Sequence, residues 1–471
     1  MRPAGQAVDP AKLARRRFRA REVTAAIQEE LDASKKPTTF TVLSSRRVSN
    51  GRGVVVWELS LDQESDRFVL DEGMEGARAW WPEPVKGSAE VLTVNAEDGV
   101  ISLTGCTCDP PGKDGTLKVY PKPFLEGLRD LWAHPEIGLA AAAWLARGRG
   151  GPSLGAPALD MRPFDAGTAR TAQRAAADLL GHRVGYLWGP PGTGKTTTVG
   201  MLLAALLLAP GDARVLLLST TNAAVDQALE AVDKSLERVA RTDHRARLVR
   251  LSACHRFGRR FLAEVYRDRG HLLPTPDQEL LNQLLEHEAH KPRNEDTVGL
   301  VEWNTRRDAL RDSIAASRRA VLLSSRLVAM TSTGATFSHA TLKEAGPFDW
   351  VVFDEGSQVS AAHFAALATL GHRVLVAGDP QQLGPVVLSK GEGPARWLSR
   401  SPFDLRDPAA TAGMVFLDQQ SRMAEGVCEL VSNAFYRGKL KLAEDATPPL
   451  RTGSGGCDAR YIRCRRSGAG A

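Results

Sequence analysis

Eight residues near the middle of the chain constrain its fold more than any other feature. Positions 189–196 read Gly-Pro-Pro-Gly-Thr-Gly-Lys-Thr and match the phosphate-binding loop pattern G-x-x-x-x-G-K-[ST] without a mismatch. Residues 186–188 are typical of the end of a buried strand, and residues 197–208 are typical of a helix. The glycines therefore occupy a strand-to-helix turn, where successive backbone N–H groups can face a triphosphate. The alternative is a glycine-rich turn that binds nothing, and the complete pattern with its flanks argues against it.

The side chains of this loop have distinct expected roles. Lys195 should contact the β and γ phosphates, and Thr196 should offer its hydroxyl to Mg²⁺. The residues predicted to bind the nucleotide are Gly189, Pro190, Pro191, Gly192, Thr193, Gly194, Lys195, Thr196 and Thr197.

From residue 160 onward the sequence alternates between strand-like and helix-like segments. Four continuous apolar runs end in polar residues, as a parallel sheet buried on both faces requires. They cover residues 215–219, 327–331, 350–354 and 374–379. Functional side chains of such a sheet collect at the carboxyl ends of its strands. We therefore predict an α/β fold of the P-loop NTPase type.

Polar side chains follow two of these runs at positions suited to chemistry. Asp354 and Glu355 should emerge at the sheet edge beside the loop, where a carboxylate can hold Mg²⁺ or polarise an attacking water. We assign Asp354 to the metal and Glu355 to the general base. Gln382 follows the last run, and its amide can sense the γ phosphate. Taken alone, the acidic pair could be a surface feature and the Gln382 segment an ordinary turn.

The length of 471 residues is enough for about three domains. Residues 11–34 have spaced apolar positions among charges, which indicates an amphipathic helix. Short β-rich runs follow, and their spacing favours a small barrel or sandwich. The predicted division is an N-terminal helical arm (1–39), a small β-barrel module (40–121), a helical stalk and linker (122–160), a first ATPase domain (161–402) with a helical insertion (270–325), and a partial second domain with a tail (403–471).

Positive charge is concentrated in two segments. The net charge is only +6 over the whole chain, with a sequence pI of about 9.0. Each segment could be a solvated helix face or could contact phosphates. The first contains Arg15, Arg16, Arg17, Arg19 and Arg21, and the second contains Arg241, Arg245, Arg247, Arg250, Arg256, Arg259 and Arg260 with Phe257 and Phe261 beside them.

The six cysteines contain no C-x-x-C pair, which argues against a zinc module and against a secreted disulfide framework. No stretch approaches the roughly 20 apolar residues that a membrane span needs, and the first residues contain no apolar signal-peptide core. We therefore expect no membrane partner and a cytoplasmic location.

Five segments, in chain order, resemble motifs I, Ia, II, III and IV of superfamily 1 helicases. After the loop come Ser-Thr-Thr-Asn-Ala-Ala-Val-Asp-Gln (219–227), Asp-Glu-Gly-Ser-Gln (354–358), Gly-Asp-Pro-Gln-Gln-Leu (378–383) and Gln-Ser-Arg-Met (420–423). With Phe-Tyr-Arg-Gly-Lys-Leu at 435–440, they are similar to the 5′-to-3′ branch that includes the nonsense-mediated-decay RNA helicase and its DNA-acting relatives. The resemblance implies a RecA-like first domain with a small β-barrel and a helical stalk, ATP and Mg²⁺ as cofactors, and single-stranded DNA or RNA as partner.

The resemblance also implies roles for single residues. Gln173 would read the adenine edge, and Arg422 would reach across the cleft to the γ phosphate. The groups implied to hold the strand backbone are Thr221 and Asn222 of motif Ia and Thr331 and Ser332 of motif Ic. Gln173 could instead be a solvated helix residue, and residues 331–334 a plain strand-end turn. Because such contacts go to phosphates, binding independent of base sequence is expected.

Two features depart from the family pattern. Ser421 stands where the family usually has an aromatic residue expected to stack on the adenine. After Pro385 only 471 − 385 = 86 residues remain, whereas a complete second RecA-like domain needs on the order of 150. Motifs V and VI are not found. We therefore expect an incomplete second RecA-like domain and weak hydrolysis, with poor or no unwinding of duplexes unless a partner chain completes the cleft.

The leading hypothesis is an ATP-dependent helicase or translocase of superfamily 1 that couples ATP hydrolysis to movement on single-stranded nucleic acid. The alternative is a truncated, nucleotide-dependent nucleic-acid-binding module with little or no unwinding. A P-loop kinase or a simple AAA-type ATPase would explain the first motif but not motifs Ia, III and IV.

Overall fold

A computed structural model describes residues 9–444 except for short internal stretches. These stretches are 35–36, 50–54, 63–73, 75–76, 96–98, 121–123, 149–152, 156, 158, 163–169, 240–247, 251–269, 273–282, 284–285, 288–289, 291–296 and 407–411. The second arginine cluster, apart from Arg250, and the chain after residue 444 therefore lie outside the described residues. Part of the predicted insertion at 270–325 also does.

The N-terminal β-rich segment folds as a closed antiparallel barrel. Its strands are β1 (Thr38–Ser49), β2 (Val55–Leu61), β3 (Arg78–Trp81), β4 (Gly87–Asn95), β5 (Val100–Thr104) and β6 (Thr116–Val119), in the spatial order β1-β2-β5-β4-β3-β6. Successive side chains of a strand point to opposite faces, and Phe40, Trp81 and Leu117 are buried in the interior. The predicted small barrel is confirmed.

The central domain is built on a seven-stranded parallel sheet. Its strands are β7 (Val184–Trp188), β8 (Val215–Ser219), β9 (Leu248–Arg250), β10 (Leu327–Thr331), β11 (Phe348–Phe353), β12 (Gly371–Gly378) and β13 (Met414–Phe416), in the order β13-β7-β12-β11-β8-β10-β9. The inner strands are covered on both faces, so their sequences are continuous apolar runs rather than alternating ones. The predicted parallel sheet is confirmed.

Helices cover both faces of the sheet. The α-helices of the described residues are α1 (Pro10–Ser34), α2 (Phe124–Ala133), α3 (Pro135–Arg147), α4 (Thr171–Ala175), α5 (Lys195–Leu208), α6 (Asn222–Arg238), α7 (Thr297–Ser324), α8 (Ser332–Phe337), α9 (His339–Ala345), α10 (Ala361–Leu367), α11 (Glu392–Trp397) and α12 (Glu425–Phe435), the last of which lies in the C-terminal segment away from both cores. On one face, α5 and α6 form a core with the sheet. On the other face, α1, α2, α3 and α10 contribute Val23, Leu128, Trp144 and Phe364 to a second core.

The N-terminal helix α1 confirms the predicted helix, but its two halves differ in burial. All of its buried residues lie from Val23 onward, where it packs against α2, α3 and α11. Phe18 is one of the spaced apolar residues of the predicted helix, yet it is 72% exposed, whereas Val23 and Ile27 are buried. The pattern alone could not indicate that neighbouring helices cover only the second half.

The segment after residue 402 does not separate from the first domain at the predicted boundary. β13 pairs with β7 and forms the edge strand of the main sheet, although we predicted the second domain to begin at residue 403. The apolar residues Met414, Val415 and Phe416 extend the sheet because β7 would otherwise present an unpaired edge. Beyond them, β14 (Gln419–Gln420) and β15 (Lys441–Leu442) form a small parallel pair, with α12 between them in sequence.

Two further expectations concern the helices and the cysteines. The long helix α7 lies inside the predicted helical insertion.

Within the described ranges, every helix is too short or too polar to cross a bilayer. Cys106, Cys108 and Cys428, the cysteines among the described residues, form no disulfide.

Candidate nucleotide-binding site

The loop at 189–194 connects the carboxyl end of β7 to the first turn of α5. Gly192 and Gly194 both have a φ of +78°, in the left-handed region that favours glycine. A Cβ added at Gly192 would lie 2.6 Å from the Cβ of Arg422, and one added at Gly194 would lie 2.9 Å from Nε2 of Gln173. The two glycines therefore allow two predicted site residues to approach the loop closely.

Lys195, the first residue of α5, is paired with the predicted base. Its ammonium lies 2.8 Å from Oε1 of Glu355, and the two side chains are 8% and 26% exposed. Glu355 is the second residue after β11 and has a φ of +52°, which is uncommon for a residue other than glycine. Because Lys195 is both charged and shielded from water, a phosphate that reaches it must compete with Glu355.

Thr196 and Asp354 form a second pair beside the first. The Thr196 hydroxyl donates to Oδ2 of Asp354 over 3.2 Å. Asp354 is 1% exposed. Burial raises the pKa of its carboxyl to about 6, with Lys195 acting in the opposite direction and Glu355 adding to the rise. A cation beside Asp354 would lower this pKa again, because it would stabilise the charged form.

The oxygen atoms of these residues fit a hard divalent cation. Oδ1 of Asp354 and Oε2 of Glu355 are buried and have no hydrogen-bond partner among the described residues. Across the described ranges, no group of three or more His, Cys, Asp or Glu side chains could hold a metal by itself. Mg²⁺ is usually held by one or two carboxylates together with substrate phosphates. Thr196 and Asp354 therefore fit a Mg²⁺ that arrives with a nucleotide.

Asp379, which follows β12, connects three parts of the site and is fully buried. Its Oδ1 accepts from Nε1 of Trp188 over 3.0 Å and from the backbone N of Gln381 over 3.1 Å. Its Oδ2 accepts from Nε2 of Gln382 over 3.2 Å and from the hydroxyl of Tyr436 over 2.7 Å. The predicted γ-phosphate sensor Gln382 is therefore bound to a carboxylate that also contacts the residue after α12.

Sequence reasoning assigned no role to Asp379 or Tyr436. Asp379 lies within the Gly-Asp-Pro-Gln-Gln-Leu string, so its place at a strand end was a usable signal. Tyr436 is 57 residues further along the chain, and no local pattern indicates that the two meet.

Gln173 lies in α4 and is 6% exposed, which excludes the alternative of a solvated helix residue. Its Oε1 accepts from the backbone N of Arg170 over 2.8 Å. Its Nε2 lies close to Gly194. The amide is therefore fixed against the phosphate-binding loop.

Arg422 approaches the same loop from the C-terminal segment. The backbone N of Ser421 donates to the carbonyl of Gly192 over 3.0 Å, and Oε1 of Gln420 accepts from the backbone N of Arg422 over 2.8 Å. These bonds fix the backbone beside the loop, while the Arg422 side chain is exposed.

The predicted strand contacts lie where two neighbouring strands of the sheet end. They are Thr221, Asn222, Thr331 and Ser332. The hydroxyls of Thr221 and Thr331 cap α6 and α8 by accepting from the backbone N of Ala224 (3.2 Å) and of Gly334 (3.1 Å). Ser332 is 3% exposed, so its side chain does not reach the surface. Ser332 was expected to contact the strand, but it is the first residue of α8 and its side chain is buried there.

Comparisons with known proteins relate the chain to a family. Residues 168–390 match a family model described as "AAA domain". The chain is 28% identical over 273 residues to the DNA-binding protein SMUBP-2 of Mesocricetus auratus. This alignment covers 56% of the chain and 26% of SMUBP-2. The chain is also 29% identical over 273 residues to the ATP-dependent helicase upf1 of Schizosaccharomyces pombe. That alignment covers 57% of the chain and 27% of upf1.

The chain thus spans about a quarter of the length of these two relatives. Among solved structures, the Arterivirus nonstructural protein 10 helicase aligns with a TM-score of 0.38 and 14% identity, over 89% of this chain and 62% of that one. Residues 168–390 therefore match the AAA domain model, and the chain is similar over 273 residues each to a DNA-binding protein and to an ATP-dependent helicase.

Proposed function

We propose that the chain binds ATP with Mg²⁺ and couples ATP hydrolysis to movement along single-stranded nucleic acid, as a helicase or translocase. The observation that carries the proposal is the adjacency of two pairs, Lys195 with Glu355 at 2.8 Å and Thr196 with Asp354 at 3.2 Å. Together they supply a cation for phosphates, oxygens for a metal and a carboxylate for water. The names of the two relatives, a DNA-binding protein and an ATP-dependent helicase, support the same activity.

Nucleotide binding starts with an exchange of partners. As the β and γ phosphates enter the loop, Lys195 leaves Glu355 for phosphate oxygens. The backbone N–H groups at the start of α5 face the same anion, and the helix dipole favours it. Thr196 and Asp354 would hold Mg²⁺, which neutralises charge on the phosphates during transfer. The buried amide of Gln173 would meet the base edge from the other side of the loop.

The exchange leaves Glu355 without its cation and able to accept a proton from the attacking water as general base. Arg422, once its side chain turns toward the loop, would supply positive charge to the γ phosphate, and an arginine finger of this kind contributes roughly 10³ to 10⁵ in rate. Gln382 senses the departure of the γ phosphate. Because Asp379 binds both Gln382 and Tyr436, a change at the sensor is transmitted to the end of α12.

The strand would lie over the ends of β8 and β10. Thr221, Asn222 and Thr331 would contact its phosphates through hydroxyl, amide and backbone groups. Such contacts contain no base information, so binding should be independent of sequence and should weaken as salt rises. Both DNA and RNA present the phosphates that this surface would contact.

A second candidate is a nucleotide-dependent binding module that holds a strand without useful turnover. The observation in its favour is the exposed Arg422 side chain, which no partner among the described residues directs toward the loop. A rate enhancement from Arg422 would require that side chain to reorient when nucleotide binds.

Unwinding of tailed duplexes separates the two candidates. We expect weak ATP-dependent unwinding of a 5′-tailed duplex, DNA or RNA, and its loss in Lys195→Ala. ATP-dependent strand binding by the same chain without unwinding or turnover would instead support the binding module. A chain that binds neither nucleotide nor strand would contradict both candidates.

A further inference from the structure

The first half of α1 is a positively charged surface that the proposed reaction does not use. Between Pro10 and Arg21 the helix has six cationic side chains and no acidic one. The first carboxylate after them, Glu22, is 2.9 Å from Arg396 and is therefore already paired. The positive charge of this half-helix is thus not neutralised by its own helix.

Arginine and aromatic side chains share one exposed face of this half-helix. We call it the basic stripe. Its residues recur every three or four positions and line one shallow surface depression: Pro10, Leu13, Ala14, Arg17, Phe18 and Arg21. Phe18 is 72% exposed and lies between Arg17 and Arg21 on this face. Among the described residues, no carboxylate forms an ion pair with either arginine.

Glu30 in the second half of α1 and Arg19 in the first half attach the helix to the nucleotide domain. The carboxylate of Glu30 is 5% exposed and accepts from the backbone N of Leu388 over 2.7 Å and of Ser389 over 2.9 Å. The guanidinium of Arg19 lies over the ring of Trp397 at 6.0 Å. The stripe is therefore a fixed extension of the domain that carries the nucleotide loop.

We propose that the basic stripe is an accessory surface for single-stranded nucleic acid, separate from the contacts at Thr221 and Thr331. Cationic side chains that follow a phosphate backbone, beside an exposed ring that can stack on a base, are the recurring chemistry of single-strand binding. Two large apolar side chains, Leu13 and Phe18, are too few for insertion into a bilayer. The inference rests on the proposed function, because it extends the footprint of the same strand.

Oligonucleotides of two lengths test the proposal. Binding of the full chain to labelled single strands of about 8 and about 30 nucleotides would be measured across a salt series. The doubly substituted Arg17→Ala/Arg21→Ala chain should bind the long strand about tenfold more weakly, with the slope of log affinity against log salt reduced by about 1.4, since each of the two lost phosphate contacts removes roughly 0.7. The short strand should bind as it does to the parent chain.

Two controls isolate the chemistry. Arg162→Ala/Arg319→Ala removes the same charge from exposed arginines paired with Asp160 and Glu344, and should leave both affinities unchanged. Phe18→Ala should weaken binding of the long strand at least fivefold, and Phe18→Trp should restore it because stacking is retained.

The possible failures are distinguishable. Equal weakening for both strand lengths, or equal loss in the control pair, would overturn the accessory surface while leaving strand binding intact. Unchanged binding of the long strand in Arg17→Ala/Arg21→Ala would also overturn it. If the parent chain binds neither strand, the proposed function and this inference both fail.

Discussion

The ammonium of Lys195 lies 2.8 Å from Oε1 of Glu355, so the residue expected to bind phosphate is held by the residue expected to activate water. Neither group can take up its role while the pair persists. Nucleotide binding and release of the base are therefore the same event in this account.

The first prediction concerns Glu355→Gln. The amide keeps the shape of the side chain but removes both the base and the negative charge that competes for Lys195. Hydrolysis should slow by about 10² or more, the usual effect of losing a positioned base, while ATP binding is kept or becomes tighter. Single-turnover hydrolysis and calorimetry would measure the two effects. Hydrolysis at the parent rate would show that Glu355 is not the base.

The second prediction concerns Lys195→Ala. It removes the point charge aimed at the β and γ phosphates, so ATP binding should be lost in calorimetry. Lys343→Ala is the matched control, because Lys343 is 53% exposed and lies 3.5 Å from Glu136, so removing it should not change ATP affinity. Parent-like ATP affinity in Lys195→Ala would remove this residue from the site.

The third prediction concerns Tyr436→Phe, which deletes the 2.7 Å hydrogen bond to Asp379. Hydrogen bonds to charged groups contribute about 1.5 to 3 kcal/mol, so the free energy of unfolding should fall by an amount in that range. Strand stimulation of ATP turnover should also fall several-fold, with an unchanged KM for ATP, because Tyr436 would position Gln382 without touching the nucleotide.

Tyr120→Phe is the control for this variant, since Tyr120 is 37% exposed and should tolerate the change. If Tyr436→Phe raised KM for ATP and left strand stimulation intact, Tyr436 would not act through the sensor.

The fourth prediction concerns pH and His363, which is 4% exposed in α10. Its Nε2 lies 3.2 Å from the carbonyl of Ser332 and 2.7 Å from the Thr336 hydroxyl, beside the ring of Phe124. Burial lowers the pKa of His363 to about 4, against about 6.5 when unfolded. Between pH 6.5 and about 4 the unfolded chain therefore binds more protons at His363 than the folded chain does. The contribution of His363 to the free energy of unfolding is fully present above pH 6.5 and is lost as the pH falls toward about 4.

At pH 5 the loss from His363 should be on the order of 2 kcal/mol. Burial also lowers the pKa of His339 to about 4, which acts in the same direction. Asp354, with its pKa raised to about 6, acts in the opposite one. Comparing the melting temperature at pH 5 and pH 7 for the parent and for His363→Gln isolates one group. The difference between the two pH values should shrink in His363→Gln, and an unchanged difference would mean that His363 does not titrate as described.

The nucleotide loop and the carboxylates at 354–355 could be predicted because their chemistry is local. A glycine pattern between a strand and a helix, and an acidic pair after an apolar run, each fix their own geometry within about ten residues. The barrel was predictable for a similar reason, since short alternating strands carry their own signal.

Contacts between distant segments were not predictable in the same way. β13 has three residues, too few for a periodic signal, and its place beside β7 depends on which sheet edge is free. The bond between Tyr436 and Asp379 and the exposure of Phe18 depend on how separate elements pack. Periodicity within one segment does not contain that information.

Strand-stimulated ATP turnover shows whether hydrolysis at the Lys195–Glu355 site is coupled to a bound strand. The purified chain would be assayed with ATP and Mg²⁺, with and without matched single-stranded DNA and RNA, beside Glu355→Gln. Turnover should rise when one or both strands are added and should fall by about 10² or more in Glu355→Gln. Turnover that is indifferent to both strands, or that persists in Glu355→Gln, would contradict this coupling.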